Sequence, residues 1–207
     1  MDAQNVPPLL SVHRKRLKRY NVPGHAHFLT FSVYKRMPLL TNDLWRAWLA
    51  SEVWRACDCH ETALWAYVFM PDHVHLLVKP RPESYDIAVF LKDLKEQFAK
   101  RVAEHLAARD SRLAERLRIR ERPGVVRFRF WQEGGGYDRN LWAMPNVLAK
   151  AEYCHWNPVK RGLVRSPDQW RWSSYRWLKE GRREGEPLRL DEWDERLLSD
   201  GKADSGM

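Results

Sequence analysis

Three segments in the first half of the chain have the residue pattern of β-strands. In residues 25–34, "HAHFLTFSVY", every second side chain from His25 to Val33 lies on one side of a predicted strand. Residues 62–70 and 73–79 are rich in aromatic and branched residues, and Pro71-Asp72 between them favours a turn. They are predicted to form a hairpin. "VVRFRFWQ", residues 125–132, alternates in the same way and predicts a fourth strand.

Helical spacing of apolar residues follows the first strand and the hairpin. Thr41, Asn42 and Asp43 are typical N-terminal caps, and the residues after them predict a first helix. A long helix is predicted over residues 84–108, and the arginine-rich residues 109–122 either extend it or form a short second helix. Pro145 is expected to open a last helix that runs to about Trp156.

This order of elements, β-α-β-β-α-β and then a helix, predicts an α+β protein. The expected architecture is a ferredoxin-like antiparallel sheet with helices on one face, plus a C-terminal helix. Three parts are expected along the chain: a flexible basic arm at residues 1–20, a folded domain at 21–178, and an extension at 179–207 that ends in an acidic tail.

Charge changes this picture by suggesting a partner. The 207 residues carry a net charge of +9, and five of the six residues in "RKRLKR", 14–19, are cationic. Residues 109–129 hold eight arginines against three acidic residues. Such clusters favour a polyanionic partner, most often nucleic acid, although a general role in solubility explains the charge equally well. Three cysteines without a signal peptide indicate the cytoplasm, and no apolar segment is long enough to span a membrane.

Candidate chemistry begins with "VFMPDHVHLLVKP", residues 68–80. His73 and His75 are two apart on a predicted strand, so their rings project from the same face while Val74 points to the core. Two neutral imidazoles side by side can bind a divalent metal. Hydrogen bonds to backbone groups on a half-exposed strand are the simpler explanation. The pair His25 and His27 has the same spacing, and we expect it to be structural or exposed to solvent.

The second candidate group lies in "AEYCHWNPVKRGLV", residues 151–164. Tyr153 and Asn157 are four apart and share one face of the predicted last helix. Because Pro158 disfavours helical geometry in the residue before it, Asn157 is expected at the very end of that helix. The Asn157 amide oxygen is then either a third metal ligand or a helix cap. Lys150 and Glu152 are expected on other faces of the helix, so no general base for Tyr153 is evident.

Four segments together resemble the REP-associated tyrosine transposases. They are "YVFMPDHVHLLVKP", "FWQEGGGYDRN", "YCHWNPVKRGLV" and "WRWSSYRW", and the resemblance covers about residues 20–178. These proteins are relatives of the single-tyrosine HUH insertion-sequence transposases. Asp72 stands where many relatives have asparagine, and the arginine-rich residues 109–122 and the segment after residue 180 are outside the pattern.

The resemblance implies a reaction and assigns it to residues. His73, His75 and Asn157 would be the ligands of Mg²⁺ or Mn²⁺, and Tyr153 would be the nucleophile that forms a 5′-phosphotyrosine with DNA. Cleavage and rejoining of single-stranded DNA beside a hairpin follow from it, as does a ferredoxin-like sheet. The protein would be nucleoid-associated and act as a monomer or a homodimer.

DNA is expected to contact two basic clusters and one tryptophan, namely Arg14, Lys15, Arg16, Lys18, Arg19, Arg127, Arg129 and Trp131. For Trp131, a position in the core is an equally good alternative. Two other functions remain open. A DNA-binding protein that acts on palindromic repeats without cutting them would need the charge but not Tyr153. A small metal hydrolase would use His73 and His75, but it would not need the net positive charge.

Overall fold

The computed structural model describes residues 19–109 and 112–193. Arg14, Lys15, Arg16 and Lys18, expected to bind DNA, therefore lie outside the described residues. The strands are β1 (Ala26–Ser32), β2 (Thr62–Phe69), β3 (His73–Pro80), β4 (Arg118–Arg122), β5 (Val125–Phe128) and β6 (Tyr137–Leu141). The α-helices are α1 (Asp43–Cys59), α2 (Ile87–Ala107), α3 (Arg112–Leu117), α4 (Met144–Lys160) and α5 (Tyr175–Lys179).

Four of these strands form an antiparallel sheet in the order β2-β3-β1-β6. With β6 as the fourth strand, this is the ferredoxin-like order, which confirms the predicted fold class. The hairpin of β2 and β3 turns at Pro71-Asp72, as predicted. Asn42 caps α1, because its side chain accepts a hydrogen bond from the backbone N–H of Trp45.

The sheet separates two apolar layers. On one face, α1 and α2 cover side chains such as Phe31 and Val74, together with Leu49 and Phe98 from the helices. On the other face, α4 covers Phe28, Leu77 and Leu141. Because side chains alternate along a strand, His73 and His75 lie on the α4 face. α4 thus packs on the face of the sheet that carries the two histidines, together with partly buried side chains from the chain after it, such as Trp170 and Trp193.

Residues 125–128 do form a strand, but the prediction that it is the fourth strand of the main sheet was wrong. Residues 125–128 pair with β4 in a separate two-stranded hairpin, closed by the turn at Pro123-Gly124. The sheet takes β6 instead, a polar segment, "YDRNL", that pairs with β1. An edge strand needs backbone partners on only one side and few apolar side chains, so β6 has a weak hydrophobic pattern. The alternation of apolar and charged residues in 125–128 does correspond to a strand, but this strand belongs to the local hairpin of β4 and β5.

The expected end of the last helix was also wrong. α4 continues through Pro158 to Lys160, so Asn157 lies inside it, one turn before its end. Pro158 removes a single hydrogen bond in the last turn, and the helix stops where Gly162 adopts a φ of +68°. The N–H groups of Gly162 and Leu163 donate to the carbonyls of Val159 and Pro158, which is a Schellman motif. Asn157 is therefore not a cap.

The C-terminal part of the described chain packs along β2. Leu188 and Leu190 are buried in the core. The backbone N–H of Asp191 donates to Leu64, and the indole of Trp193 donates to the carbonyl of Trp65. The proposed division of the chain at residue 178 stays a prediction. Among the described residues, none of the helices is long and apolar enough to cross a membrane.

Gly136 permits β6 to approach β1, and its replacement is the first testable prediction. Its φ is +71°, and a Cβ at this position would lie 2.2 Å from the carbonyl oxygen of Thr30. We expect Gly136→Ala to lower the free energy of unfolding by about 3 kcal/mol, measured by urea denaturation. Gly124→Ala is the matched control, because Gly124 has a φ of +77° but no atom of the described residues lies within 4 Å of the added Cβ. Equal losses in the two variants would contradict the predicted clash.

Candidate active site

The paired histidines of β3 face α4 from the middle of the sheet. His73 lies opposite Ser32 of β1, and His75 lies opposite Thr30. Their exposed fractions are only 3% and 4%, respectively. The predicted common face is confirmed, because Val74 between them packs in the core with α1 and α2. Two polar rings in such a buried position need partners.

Each ring is held by a contact to its Nδ1 atom. Nδ1 of His73 donates to the carboxylate of Asp72 at 2.6 Å. Nδ1 of His75 is 2.7 Å from the hydroxyl of Thr30, whose oxygen can accept a hydrogen bond from the Nδ1–H group. With Nδ1 engaged in this way, the lone pair of each neutral ring is on Nε2. The two Nε2 atoms point at each other, 3.1 Å apart.

Asn157 completes this group from α4. Its Nδ2 donates to Nε2 of His75 at 3.2 Å. Its Oδ1 is buried and has no hydrogen-bond partner among residues 19–109 and 112–193. A buried amide oxygen without a partner is costly, and a rotation of the amide by 180° brings that oxygen toward the imidazoles. The orphaned oxygen suggests that the site accommodates one more positive group.

The geometry of these three side chains fits a divalent cation. Neighbouring ligands of an octahedral ion with bonds of about 2.1 Å are about 3.0 Å apart. The separation of 3.1 Å between the two Nε2 atoms is close to this value. Anchored Nδ1 atoms are typical of histidines that bind a metal. Within the described residues, no three or more His, Cys, Asp or Glu side chains are grouped to hold a metal, so the third protein ligand would be the amide.

Both imidazoles are neutral near pH 7. Burial lowers the pKa of His75 to about 3, with smaller contributions from His73 and from cations that include Arg36. Burial also lowers the pKa of His73, although the hydrogen bond to Asp72 opposes this shift. A neutral ring offers its Nε2 lone pair to a cation, whereas a protonated ring repels it.

Tyr153 lies beside this group, on the preceding turn of α4. The centre of its ring is 5.2 Å from that of His75 and 5.8 Å from that of Phe28, edge to face with both. It is 38% exposed. Its ring thus packs against the histidine side of the sheet while the side chain remains accessible from solvent. The predicted juxtaposition of Tyr153, His75 and Asn157 therefore exists within one chain.

A basic cleft surrounds the phenol. The ammonium groups of Lys150 and Lys160 lie 5.4 and 5.6 Å from the centre of the Tyr153 ring. Arg36 and Arg161 line the same cleft. The expectation that Lys150 points to another helix face was wrong, because residues three apart on a helix are neighbours. Glu152 does point away, where it pairs with Lys179.

Arg36 reaches the cleft from an unusual turn after β1. Both Lys35 and Arg36 have positive φ angles, 53° and 55°. Residues other than glycine rarely adopt this backbone conformation. Where they do, the backbone strain is often associated with function. Arg36 lies 3.4 Å from Asp72, the carboxylate that holds His73. The turn thus places a cation at the edge of the histidine group.

The residues expected to contact DNA are found in different surroundings. Trp131 is buried between Phe31, Phe98 and Phe130, and its indole donates to the carbonyl of Lys95, so the expectation that it stacks on a base was wrong. The hydrophobic neighbours of Trp131 in sequence already favoured the core.

Arg127 of β5 and Arg129, which follows that strand, are at least partly exposed, and both have acidic partners. Arg127 pairs with Glu121 at 2.6 Å, and Arg129 pairs with Glu133 at 3.0 Å. Arg19 contacts the carbonyl of Gly135 and lies 3.4 Å from Asp138. None of these three lines the cleft around Tyr153, so their contact with DNA stays a prediction.

In the second histidine pair, His25 and His27, the ring of His27 has a structural role, as expected. His27 is buried on the opposite face of the sheet, where it forms hydrogen bonds with Asp138 and Tyr85, both at 2.8 Å.

Four residues near the candidate site were not predicted from the sequence: Thr30, Arg36, Lys150 and Arg161. Helical spacing gave a signal for two of them, because Lys150 is three residues before Tyr153 and Arg161 is four residues after Asn157. Thr30 and Arg36 reach the site from β1 and the turn after it.

Comparison with known proteins agrees with this arrangement. Residues 22–117 match the family model described as transposase IS200 like. The resemblance inferred from the sequence is confirmed. The matched region contains His73 and His75 and ends before Tyr153.

A protein of Haemophilus influenzae named as a REP-associated tyrosine transposase is 28% identical over 121 residues, which are 58% of this chain. The match spans 63% of the length of that relative. The solved structure of a REP-associated tyrosine transposase bound to a REP hairpin superposes with a TM-score of 0.61 and 19% identity. The superposition covers 87% of this chain and 94% of the chain in that structure. At this identity the likeness concerns the fold.

Proposed function

We propose that the protein is a metal-dependent single-stranded DNA transposase or endonuclease that cuts and rejoins DNA at hairpin-forming, REP-like palindromic sequences. The observation that carries this proposal is the placement of an accessible phenol, Tyr153, against His75 in a cleft lined by cations. A DNA strand that enters this cleft meets a nucleophile and positive charge together. The names of the relatives described above support the same substrate.

Tyr153 would attack the scissile phosphorus through its phenol oxygen. An O–P bond to tyrosine forms, the bond from phosphorus to the 3′ oxygen breaks, and the phenol proton passes to solvent while the 3′ oxygen is protonated. The products are a 5′-phosphotyrosine and a free 3′-OH. Because phenolate is a fair leaving group, with a pKa near 10 for ordinary tyrosine, a second 3′-OH can reverse the step and rejoin DNA. No nucleotide cofactor is then needed.

His73, His75 and Asn157 would hold Mg²⁺ or Mn²⁺, which when bound neutralises charge on the phosphate and makes it a better electrophile. Asp72 and Thr30 orient the two imidazoles by their Nδ1 contacts. This support keeps both Nε2 lone pairs directed into the cleft, where the amide of Asn157 also lies.

The cations of the cleft would bind the phosphate and the flanking backbone. Lys150 and Lys160 flank the Tyr153 ring, while Arg36 and Arg161 line the cleft near His73. A negatively charged strand is repelled by a phenolate, and these cations reduce that repulsion. Further contacts are proposed for the basic residues 14–19. Arg127 and Arg129, which do not line the cleft, are proposed to contact DNA as well.

A non-cleaving DNA-binding protein is the second candidate function. The family match ends at residue 117, before the helix that carries Tyr153, which leaves room for this alternative. Incubation with a labelled single-stranded hairpin and Mn²⁺, followed by a denaturing gel, separates the two. A covalent protein–DNA adduct is the expected result for the nuclease. Hairpin binding without any adduct, in Mg²⁺ as well as Mn²⁺, would overturn the cleavage proposal and leave the binding protein.

A further inference from the structure

A second basic element lies outside the cleft and has no place in the chemistry described above. It is the hairpin of β4 and β5 with the turn Pro123-Gly124, called the basic ribbon below. Its base is anchored to the core: Phe128 packs against the apolar layer, and the N–H of Arg129 donates to the carbonyl of Leu117. Its tip is exposed, and Val126 near the tip is 61% exposed. A rooted ribbon with a free tip is suited to enter a concave partner.

The positive charge of the ribbon is only partly compensated. Residues 112–129 contain seven arginines and two glutamates. The glutamates are engaged by Arg118, which contacts Glu115, and by Arg127, which contacts Glu121. Arg116, Arg120 and Arg122 form no ion pair with any described residue, and all three are exposed. An excess of exposed arginine on the ribbon and on the helix before it favours an anionic partner.

The ribbon is joined to the cleft by the strained turn after β1. The N–H of Tyr34 donates to Phe130, and the N–H of Lys35 donates to the side chain of Gln132. The guanidinium of Arg116 contacts the sulfur of Met37 at 3.7 Å. Arg36 in the cleft, Lys35 and Arg116 therefore lie on segments that contact one another between the cleft and the ribbon. This series of cations is called the basic track.

We propose that the basic ribbon enters the major groove of duplex DNA and holds the stem of the hairpin, while the basic track leads the adjoining unpaired strand to Tyr153. The stem is that of the substrate proposed above, so this role of the ribbon rests on the proposed function. The shape of the ribbon favours duplex over single-stranded DNA as its partner. A two-stranded ribbon fits the major groove, whereas a single strand has no groove for it to enter.

The dimensions of the ribbon agree with such a role. β4 has five residues. At about 3.3 Å per residue the ribbon is about 17 Å long, which corresponds to about five base pairs at about 3.4 Å each. Arg120 lies directly opposite Val126 in the ladder, so a charged and an apolar side chain share one exposed face. Arginine contacts phosphates or guanine edges, and an apolar side chain can contact a thymine methyl.

The test is the double variant Arg120→Ser/Arg122→Ser, which changes two exposed side chains far from Tyr153 in sequence. Binding of a fluorescent hairpin and of a stemless strand of equal length is measured by anisotropy in EDTA over a series of salt concentrations. We expect at least about tenfold weaker hairpin binding and a salt dependence reduced by about two counterions, with binding of the stemless strand unchanged. The matched control, Lys92→Ser/Lys100→Ser, removes the same charge from exposed positions of α2 outside the ribbon and the cleft, and it should change neither.

Arg120→Lys/Arg122→Lys separates charge from shape, since it should recover the salt dependence and part of the affinity. Unchanged hairpin binding by the serine variant, or an equal loss on the stemless strand, would overturn the role of the ribbon. The proposed function is read out separately, by adduct formation of the unchanged protein on a saturating concentration of the hairpin in Mn²⁺. Loss of hairpin affinity in a protein that forms no adduct would support the ribbon and contradict the nuclease.

Discussion

Replacing Tyr153 with phenylalanine is expected to abolish the covalent protein–DNA adduct, with a loss of cleavage of at least about 10⁴-fold. The reason is that the change removes one oxygen, the atom proposed to form the bond to phosphorus. The ring that packs edge to face on His75 and Phe28 is retained. Tyr153 is 38% exposed, so the fold should be little affected. The measurement is a single-turnover time course with a labelled hairpin on a denaturing gel.

Tyr137→Phe is the matched control for this experiment. Tyr137 also lines the cleft, packs on Phe28 with ring centres 6.4 Å apart, and is 45% exposed. Its hydroxyl belongs to β6 rather than to the helix that carries Asn157. We expect Tyr137→Phe to form the adduct at nearly the normal rate. If the adduct persisted in Tyr153→Phe and disappeared in Tyr137→Phe, the nucleophile would have been assigned to the wrong tyrosine.

The parts of the fold that were predictable are those whose burial imposes a pattern. β2 and β3 are buried along their whole length, and both have the branched and aromatic residues of a central hairpin. β6 was missed because an edge strand with four of its five residues not fully buried needs no such pattern. The alternating residues 125–128 were assigned to the wrong sheet, since local alternation does not identify the partner strand.

The candidate site was predictable to the extent that its residues lie on one element. The spacing of two on a strand put His73 and His75 on one face, and the spacing of four on a helix did the same for Tyr153 and Asn157. That α4 would cross the sheet over the histidines depended on the resemblance to a family. Thr30 and Arg36 were not predictable, because they reach the histidines through β-sheet register and a strained turn. Such contacts between distant parts of the chain leave no period in the sequence.

Replacing His75 with alanine is expected to remove measurable binding of Mn²⁺, with a loss of affinity of at least about 100-fold. Its Nε2 is the central atom of the proposed site, because it lies 3.1 Å from Nε2 of His73 and 3.2 Å from the amide of Asn157. Titration calorimetry on the DNA-free protein measures this directly, without reference to cleavage. The same variant should bind the hairpin in EDTA as the unchanged protein does, because neutral imidazoles contribute no charge to DNA binding.

The orphaned oxygen of Asn157 makes the metal assignment specific to this group of residues. Asn157→Asp keeps an oxygen in place and adds a negative charge, so it should bind Mn²⁺ at least as well as asparagine does. Asn157→Leu removes the oxygen and should weaken binding, although it fills a similar volume. His25→Ala controls for the loss of an imidazole, since His25 belongs to the other histidine pair, and should leave Mn²⁺ affinity unchanged. If His25→Ala reduced that affinity as much as His75→Ala does, or if Asn157→Leu did not reduce it, the cation would not bind between β3 and α4, and the Tyr153 reaction would need another source of positive charge at the phosphate.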